Sequence, residues 1–582
     1  MLTDSPVVRS TGARILFVVG ALVTITILQW THQMTTHGDP HGLTAIFFAL
    51  FAYGDYGAAI CALLILIVAI FAPIGSPARS MFLWAGEHPI RVATVSLVLL
   101  ACGALGVYHN HPLSMDEYAA YFQSRVFAGG HLSGQFPPPQ MDWLIPPGFQ
   151  DFFLNVSRVT GKVASLYWPA YAVIMTPFTL VGMPWACNPV LSALTLLVVH
   201  RLALYMFEDT EAAGLALLLT VASPVFFGIG ISYYSMPAHL LANSLYALLL
   251  ARPSPAKAFA AGIVGSIALS LHNPIPHMLF AVPWLIWIAT RQGGFRLFAA
   301  LCAGYLPLCI LLGVGWFEFS AHLQADSQAL IAANADAANR FKHMLAAFST
   351  PTTTVLLARS IGLAKVWVWG VPGLLILACY GAVRGRSNII CRLLVASALT
   401  TLIGYVFYPQ DQGHGWGYRY FHSAWMALPL LATAAICRPT GLKNVRRDSI
   451  SIFADPATKS YVAACILLSL IFGVGFRAWQ IQGFIADDLN QLPHYQGAER
   501  RIVLIDTRSS FYGADLVQND PWLRGNEIRM ISHGSVEDAK MMAQYYPTWR
   551  KVYADRFGEV WSGGKVESSS LFPHQAATHE SP

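Results

Sequence analysis

Asp116 and Glu117 stand side by side in HPLSMDEYAAYFQSRVFAGGHLSGQFPPPQMDWLIPPG, residues 111–148, a polar interruption in an otherwise apolar chain. Two adjacent carboxylates just beyond a membrane span suit general acid–base work on a substrate presented at the membrane surface. Local pattern separates their roles. Ser114-x-x-Glu117 fits a capping box, in which Glu117 reaches back to the backbone at Ser114, a structural task. Asp116, at the second helical position, gains from the helix dipole, stays ionised and is free to face a substrate. The helix runs through Tyr118, Tyr121, Phe122 and Arg125 to a stop at Gly129-Gly130, and its aromatic face is expected to lie flat on the membrane.

A second concentration of chemistry is PQDQGHGWGYRY, residues 409–420, with His414, Trp416, Tyr418, Arg419 and Tyr420 between glycines. Aromatic rings suit sugar faces or headgroups, and an arginine at a membrane surface suits phosphate. An interfacial aromatic belt accounts equally for the tryptophan and tyrosines. His239 in YYSMPAHLL, and His272 with His277 in LHNPIPHML, sit where prolines break apolar runs. Each alone reads as a satisfied packing residue; three on one side of the membrane read as the lining of a shared cavity. His32, His37, Asp39 and His41, in the loop 31–49, match no standard metal motif, so a solvated loop is the preferred reading. No cofactor is implied, and a divalent metal has no motif in its support.

The elements that must position these residues follow from composition. Of 582 residues 55% are hydrophobic and 11% charged, and the mean hydropathy is +0.50. These values describe a polytopic, all-α membrane protein. Apolar runs long enough to cross a ~30 Å hydrocarbon core number thirteen: 14–30, 50–72, 91–108, 188–207, 212–232, 237–251, 257–271, 276–290, 296–317, 362–383, 391–408, 421–437 and 460–477. With the N-terminus inside, the inner loops collect Arg79, Arg91, Arg252, Lys257, Arg291, Arg296, Arg384, Arg386, Arg392, Arg438, Lys443, Arg446, Arg447 and Lys459. This is a positive-inside pattern, and it accounts for much of the +6 net charge without a nucleic-acid partner.

The same threading places outside a large first loop, 109–187, the loops 318–361 and 409–420, and the tail from about 478. The apolar stretch 163–185 is broken by Pro169, Pro177 and Pro184, and reads as interfacial or re-entrant. Loop 318–361 has helical composition and reads as a surface helix or a cover over the site. In the tail, RIVLIDT and EIRMISH read as strands, VEDAKMMAQYY as a helix and the last ten residues as disordered, giving a small soluble α/β domain. The nine cysteines lie in or beside apolar segments with no C-x-x-C spacing, so they read as packing residues. The expected organisation is extra N-terminal helices over 1–90, a transmembrane catalytic core over 91–477 and an outer domain over 478–582.

In order and membrane side, MDEYAAYFQSRVFAGGHL, LYWPAYAVIMTPF, NPVLSALTLLVVHRLALYMF, SMPAHLL and GYRYFHSAWMALPLL resemble the bacterial glycosyltransferases of the GT-C superfamily. These are similar to protein O-mannosyltransferases and the lipid A aminoarabinose transferase. The resemblance covers roughly 91–437. It implies a polyprenyl-phosphate sugar donor and a glycan, lipid or protein acceptor, with a catalytic carboxylate at Asp116 and Glu117 beside it. Relatives carry a Lys-Tyr-Pro-Pro-like motif on the donor phosphate; here Leu166-Tyr167-Trp168-Pro169 lacks the lysine, leaving Lys162, Arg125 or Arg419 to supply the charge. The two spans before residue 91 are additional to the simplest layout of that family.

The expectation is an inverting, extracytoplasmic transfer at a bacterial inner membrane. Asp116 is the base; donor contacts come from Arg125, Lys162, Tyr167, His239, His272, His277, Trp416, Tyr418, Arg419 and Tyr420. A lipid-linked substrate transporter or flippase is the alternative, set back by span cores that read as nearly free of charge and by the absence of a clear repeat. A non-catalytic envelope assembly protein, acting through the tail 478–582, is a third reading.

Overall fold

A computed structural model describes residues 10–39, 42–325, 348–439, 451–495, 497, 499–509 and 512–563. His41, half of the expected cover in 318–361 (residues 326–347) and the expected disordered end lie outside these residues. Among the described residues seven helices are long and apolar enough to cross a membrane: Thr11–His37, Ala45–Phe71, Pro89–Gly106, Pro184–Phe207, Gly294–Leu323, Ile389–Val406 and Pro456–Leu489. An eighth span is made if Thr210–Val221 and Pro224–Gly230, bent by 60°, count as one. The chain is an integral membrane protein.

Thirteen spans are expected from the sequence; among the described residues seven or eight pass on length and composition, and six shorter apolar helices fall below that length. Met236–Ala251, Pro255–Leu269 and Ile275–Thr290 have 15 or 16 residues each, or about 22–24 Å of helix, short of a ~30 Å core. Prolines and serines start these helices and divide the continuous hydropathy into shorter pieces. Close approach between them uses small residues. A Cβ on Gly262 would lie 2.2 Å from the Leu301 carbonyl, and one on Gly304 2.1 Å from that of Phe259, so the two backbones touch at this crossing.

The span interiors also hold charge that the sequence did not suggest. Asp55, in the π-helical turn Leu50–Asp55, receives Lys365 Nζ at 2.6 Å, Arg477 Nη2 at 2.6 Å and Trp369 Nε1 at 2.8 Å. None of the three charged side chains is more than 3% exposed. Arg477 stacks on Trp369 at 3.8 Å, and the network ties the second span to the Thr353–Val368 and Pro456–Leu489 helices. The extra N-terminal spans are therefore locked to the remainder of the bundle.

Between the third span and Pro184–Phe207, the helix Met115–Ala128 packs on a three-stranded antiparallel sheet ordered β1-β3-β2, with β1 Gly134–Gln135, β2 Leu154–Val156 and β3 Lys162–Ser165. The broken apolar stretch becomes β3 followed by Ala170–Leu180, a helix of 11 residues, about 16 Å long and too short to span. Residues 501–562 form a second sheet, ordered β5-β4-β7-β6, from β4 Arg501–Ile505, β5 Glu527–Ile531, β6 Arg550–Asp555 and β7 Gly558–Ser562, with the helix Ser535–Tyr545 after β5. β4 and β5 are parallel, and β6 and β7 form an antiparallel hairpin.

The two sheet-bearing parts share one core. Met115, Tyr118, Phe122 and Val126 of the first helix pack with Ile502, Leu504, Ile528 and Met530 of the second sheet. The expected membrane-facing aromatic surface is thereby corrected: Tyr118 and Phe122 are buried against protein, and Tyr121 packs on Tyr233. Residues 515–522 hold the same helix along its length. Asp515 Oδ1 accepts from Met115 N at 2.6 Å, the Tyr118 hydroxyl donates to the Asn519 carbonyl at 2.6 Å, Arg125 pairs with Asp520, and Trp522 covers Gly129.

Candidate active site

The capping box forms as the sequence suggests. Glu117 is fully buried, and its two oxygens accept from Tyr108 OH at 2.8 Å, Tyr233 N at 2.8 Å, Leu113 N at 3.0 Å and Ser114 N at 3.2 Å. Burial pushes its pKa up to about 7 against the pull of these donors. These four donors occupy both oxygens of Glu117. Glu117→Gln turns one oxygen into a donor facing donors. It is expected to lower stability by about 1–3 kcal/mol, read as a fall in the thermal transition of the purified protein.

One residue earlier the helix turns Asp116 the other way. Its Oδ2 accepts from Arg419 Nη1 at 2.9 Å and its Oδ1 from the Tyr167 hydroxyl. The carboxylate is therefore not free, as the sequence suggested, but held from both sides. Burial favours the neutral acid, yet the charge of Arg419, His272 and the two hydrogen bonds outweigh it and keep the Asp116 pKa below the usual carboxylate range. Burial also pushes His272 down to about 4, so its imidazole is neutral at pH 7. That ring lies against Tyr167, with centroids 3.9 Å apart.

Arg419 is held as tightly as its partner. Its Nη2 donates to the Gln412 carbonyl, its backbone N–H to Gln412 Oε1 at 2.9 Å, and its guanidinium lies 4.6 Å over the Tyr234 ring. The turn that allows this depends on Gly415, whose φ of 148° is open only to glycine and whose added Cβ would meet Arg419 Cδ at 2.3 Å. Arg419 Nε is buried without a protein partner.

Of the expected site residues, Asp116, Tyr167, His272 and Arg419 come together. The others do not, each for a visible reason. Arg125 is paired with Asp520 and rests on Tyr121. Lys162 is exposed at the far end of β3, about 10 Å along the strand from Ser165. Trp416 is buried between Trp369 and His414 and donates to Tyr108 OH at 3.1 Å. Tyr418 is buried against Gly362, and Tyr420 stacks on Tyr405 at 4.2 Å. These aromatics support the loop rather than present open sugar platforms. His277 bonds Asn243 and Tyr305, both at 2.7 Å, and is a satisfied packing residue. His239 lies one helical turn from Ser235, close to the cavity but not on its wall.

Several contributors carried no recognisable signal. Gln412 was visible in the loop, but its carbonyl and side chain matter only through the glycine turns. Gln123, whose Oε1 accepts from Ser165 N at 2.9 Å, fixes β3 to the Met115–Ala128 helix. Arg359, expected only as part of a polar loop, gathers the Tyr405, Tyr408 and Gln410 carbonyls at 2.6–2.7 Å and so shapes the approach to the Arg419 loop. Among the described residues no group of His, Cys, Asp and Glu is arranged to hold a metal.

No family model matches the chain, and no curated protein matches it. Solved structures do. ArnT from Cupriavidus metallidurans bound to undecaprenyl phosphate superposes with a TM-score of 0.51 at 12% identity, over 84% of this chain and 99% of that one. The apo form of the same protein gives 0.47 at 14% identity, over 81% and 98%. This chain shares the fold of ArnT.

Proposed function

We propose that the protein is a membrane glycosyltransferase that moves a sugar from a polyprenyl-phosphate carrier to an acceptor hydroxyl with inversion. The observation that carries this reading is the held pair: an ionised Asp116 hydrogen-bonded to the guanidinium of Arg419. The acceptor O–H gives its proton to Asp116 as its oxygen bonds to the anomeric carbon. The bond from that carbon to the phosphate oxygen breaks, and the leaving charge develops beside Arg419. The fold shared with an undecaprenyl-phosphate-bound protein supports a lipid-linked donor. The positive-inside pattern supports chemistry on the outer face of a bacterial inner membrane, with the N-terminus inside and the 478–582 region outside.

Profiling of lipid-linked glycans tests the reading. A strain lacking the protein, and the same strain complemented with Asp116→Asn, are expected to accumulate one polyprenyl-phosphate sugar that wild type removes. Absence of any such lipid from both strains overturns it. Arg419→Ala is expected to raise the donor KM at least tenfold, with a smaller effect on turnover; unchanged donor use would leave Arg419 as a purely structural partner of Asp116.

The transporter alternative now has one observation in its favour, the Asp55–Lys365–Arg477 network inside the bundle. Its members are paired with each other and connect helices. A flipping assay in proteoliposomes, giving translocation without any sugar transfer, would favour that alternative.

A further inference from the structure

The loop 409–420 has no regular structure before Arg419, and Gly413, Gly415 and Gly417 within it all take positive φ. Such a backbone does not place Arg419 by itself. The placement comes from what grips the loop.

Arg359, on the Thr353–Val368 helix, grips both ends. At the entry its Nε donates to the Tyr405 carbonyl at 2.7 Å, and its Nη2 to the Tyr408 and Gln410 carbonyls at 2.6 and 2.7 Å. At the exit the same guanidinium lies 5.0 Å over the ring of Tyr420, the residue after Arg419, and that ring is stacked on Tyr405. The Tyr420 hydroxyl closes the loop by donating to the Asp411 carbonyl at 2.8 Å. On the far side Thr44, at the head of the second span, holds the Asp411 carboxylate through its N–H and its hydroxyl, both at 2.8 Å. Inside this frame Gln412 takes the Arg419 N–H and guanidinium, and Arg419 meets Asp116.

Arg359 is 6% exposed, and among the described residues no carboxylate pairs with it. Its buried charge is spent on backbone carbonyls. Only a planar fork of donors can reach several carbonyls and still offer a flat face to a ring; an ammonium offers one nitrogen.

We propose that Arg359 is a positioning residue, which pins the two ends of the 409–420 loop to one guanidinium and so keeps Arg419 on Asp116. The clamp is read from the geometry; its effect on turnover rests on the transferase reading. Asp116 is faced by Arg419, His272 and Tyr167, with Tyr234, Tyr408, Tyr512, His414 and Asp515 within electrostatic reach. His272 and His414 are held neutral at pH 7 by burial, so Arg419 is the cation of this group. When the clamp opens and Arg419 withdraws, burial acts on Asp116 unopposed by that charge, and its pKa rises.

Two measurements on the full-length protein test the clamp. In hydrogen–deuterium exchange, Arg359→Gln and Arg359→Lys are each expected to speed exchange of the 411–419 amides about tenfold or more, with the Met115–Ala128 helix unchanged. In the second, transfer is followed from the lipid-linked sugar purified from a strain lacking the protein to membranes of that strain. Both variants are expected to move the acidic limb of kcat/KM up by about 1–3 pH units. Tyr420→Leu, which removes the ring at the exit, is expected to move it the same way by less, and it carries the test if the Arg359 variants do not fold. A limb that stays at its wild-type position, with only a lower thermal transition, leaves Arg359 a structural residue and overturns the proposal. So does a lysine variant with wild-type exchange and limb, because charge and not the fork would then suffice. Absence of transfer by the wild type overturns the transferase reading instead; exchange needs no substrate and still judges the clamp.

Discussion

Asp116→Asn is expected to lower turnover by about 10²–10⁴, the contribution of a positioned general base, while the protein inserts and folds as wild type. Asparagine keeps the shape and still accepts from Tyr167, but it cannot take the acceptor's proton. It also leaves Arg419, 8% exposed, without its counter-ion, so the arginine has more reason to hold a donor phosphate. The kinetic signature is thus a fall in kcat with a donor KM unchanged or lowered. A variant within tenfold of wild-type turnover would remove Asp116 from the reaction.

The pH profile of the wild type separates Asp116 from its neighbour. Since the Asp116 pKa is held below the usual carboxylate range, the ionised, active form persists as the solution is acidified. The acidic limb of kcat/KM is expected only below pH ~4. Glu117, pushed up to about 7 by burial, would place that limb near neutrality if it were the base. A plateau from neutral pH down to about 5 therefore supports Asp116; a limb near 7 points to Glu117.

The second large effect is expected far from the site. Asp55→Ala removes the anion between Lys365 and Arg477, and leaves two buried cations without it. Breaking a buried pair in this way costs about 3–5 kcal/mol, enough to abolish most of the folded protein in detergent at 37 °C. Replacing all three charged residues by apolar ones of similar volume is expected to recover much of that loss, because no unpaired charge remains. Thermal denaturation and the yield of monodisperse protein report both. A single Asp55→Ala protein as stable as wild type would mean that water reaches the cluster. The damage should also be felt at the carboxylates: Trp369 bonds Asp55 and packs on Trp416, which donates to Tyr108, which donates to Glu117.

The contrast between Asp116 and Asp55 shows what a linear reading can and cannot find. Ser114, Glu117 and the Gly129 stop lie within one helix, so their spacing alone gives the cap, the helix and the direction in which Asp116 turns. Arg419 was visible as a cation among glycines and aromatics, although its pairing with Asp116 spans 303 residues. Asp55 lies 310 residues from Lys365 and 422 from Arg477, and each reads alone as a stray charge in an apolar run. Hydropathy measures polarity and not length between breaks, so the short apolar helices read like the long ones. It also placed Tyr118 and Phe122 on the lipid, since a helix face that packs on a sheet made nearly four hundred residues later looks the same as one that meets a membrane.

The grip of residues 515–522 on the Met115–Ala128 helix has a temporal side. Asp515 is synthesised 400 residues after the Met115 N–H that it caps, and the sheet that buries Tyr118 and Phe122 is later still to close, with β7 as its last strand. During translation the helix bearing Asp116 emerges early and waits with an open end and an uncovered apolar face. Its final placement belongs to the last stage of assembly. A chain cut short before that sheet would carry Asp116, Tyr167, His272 and Arg419 and lack the strands that pack on the helix bearing Asp116.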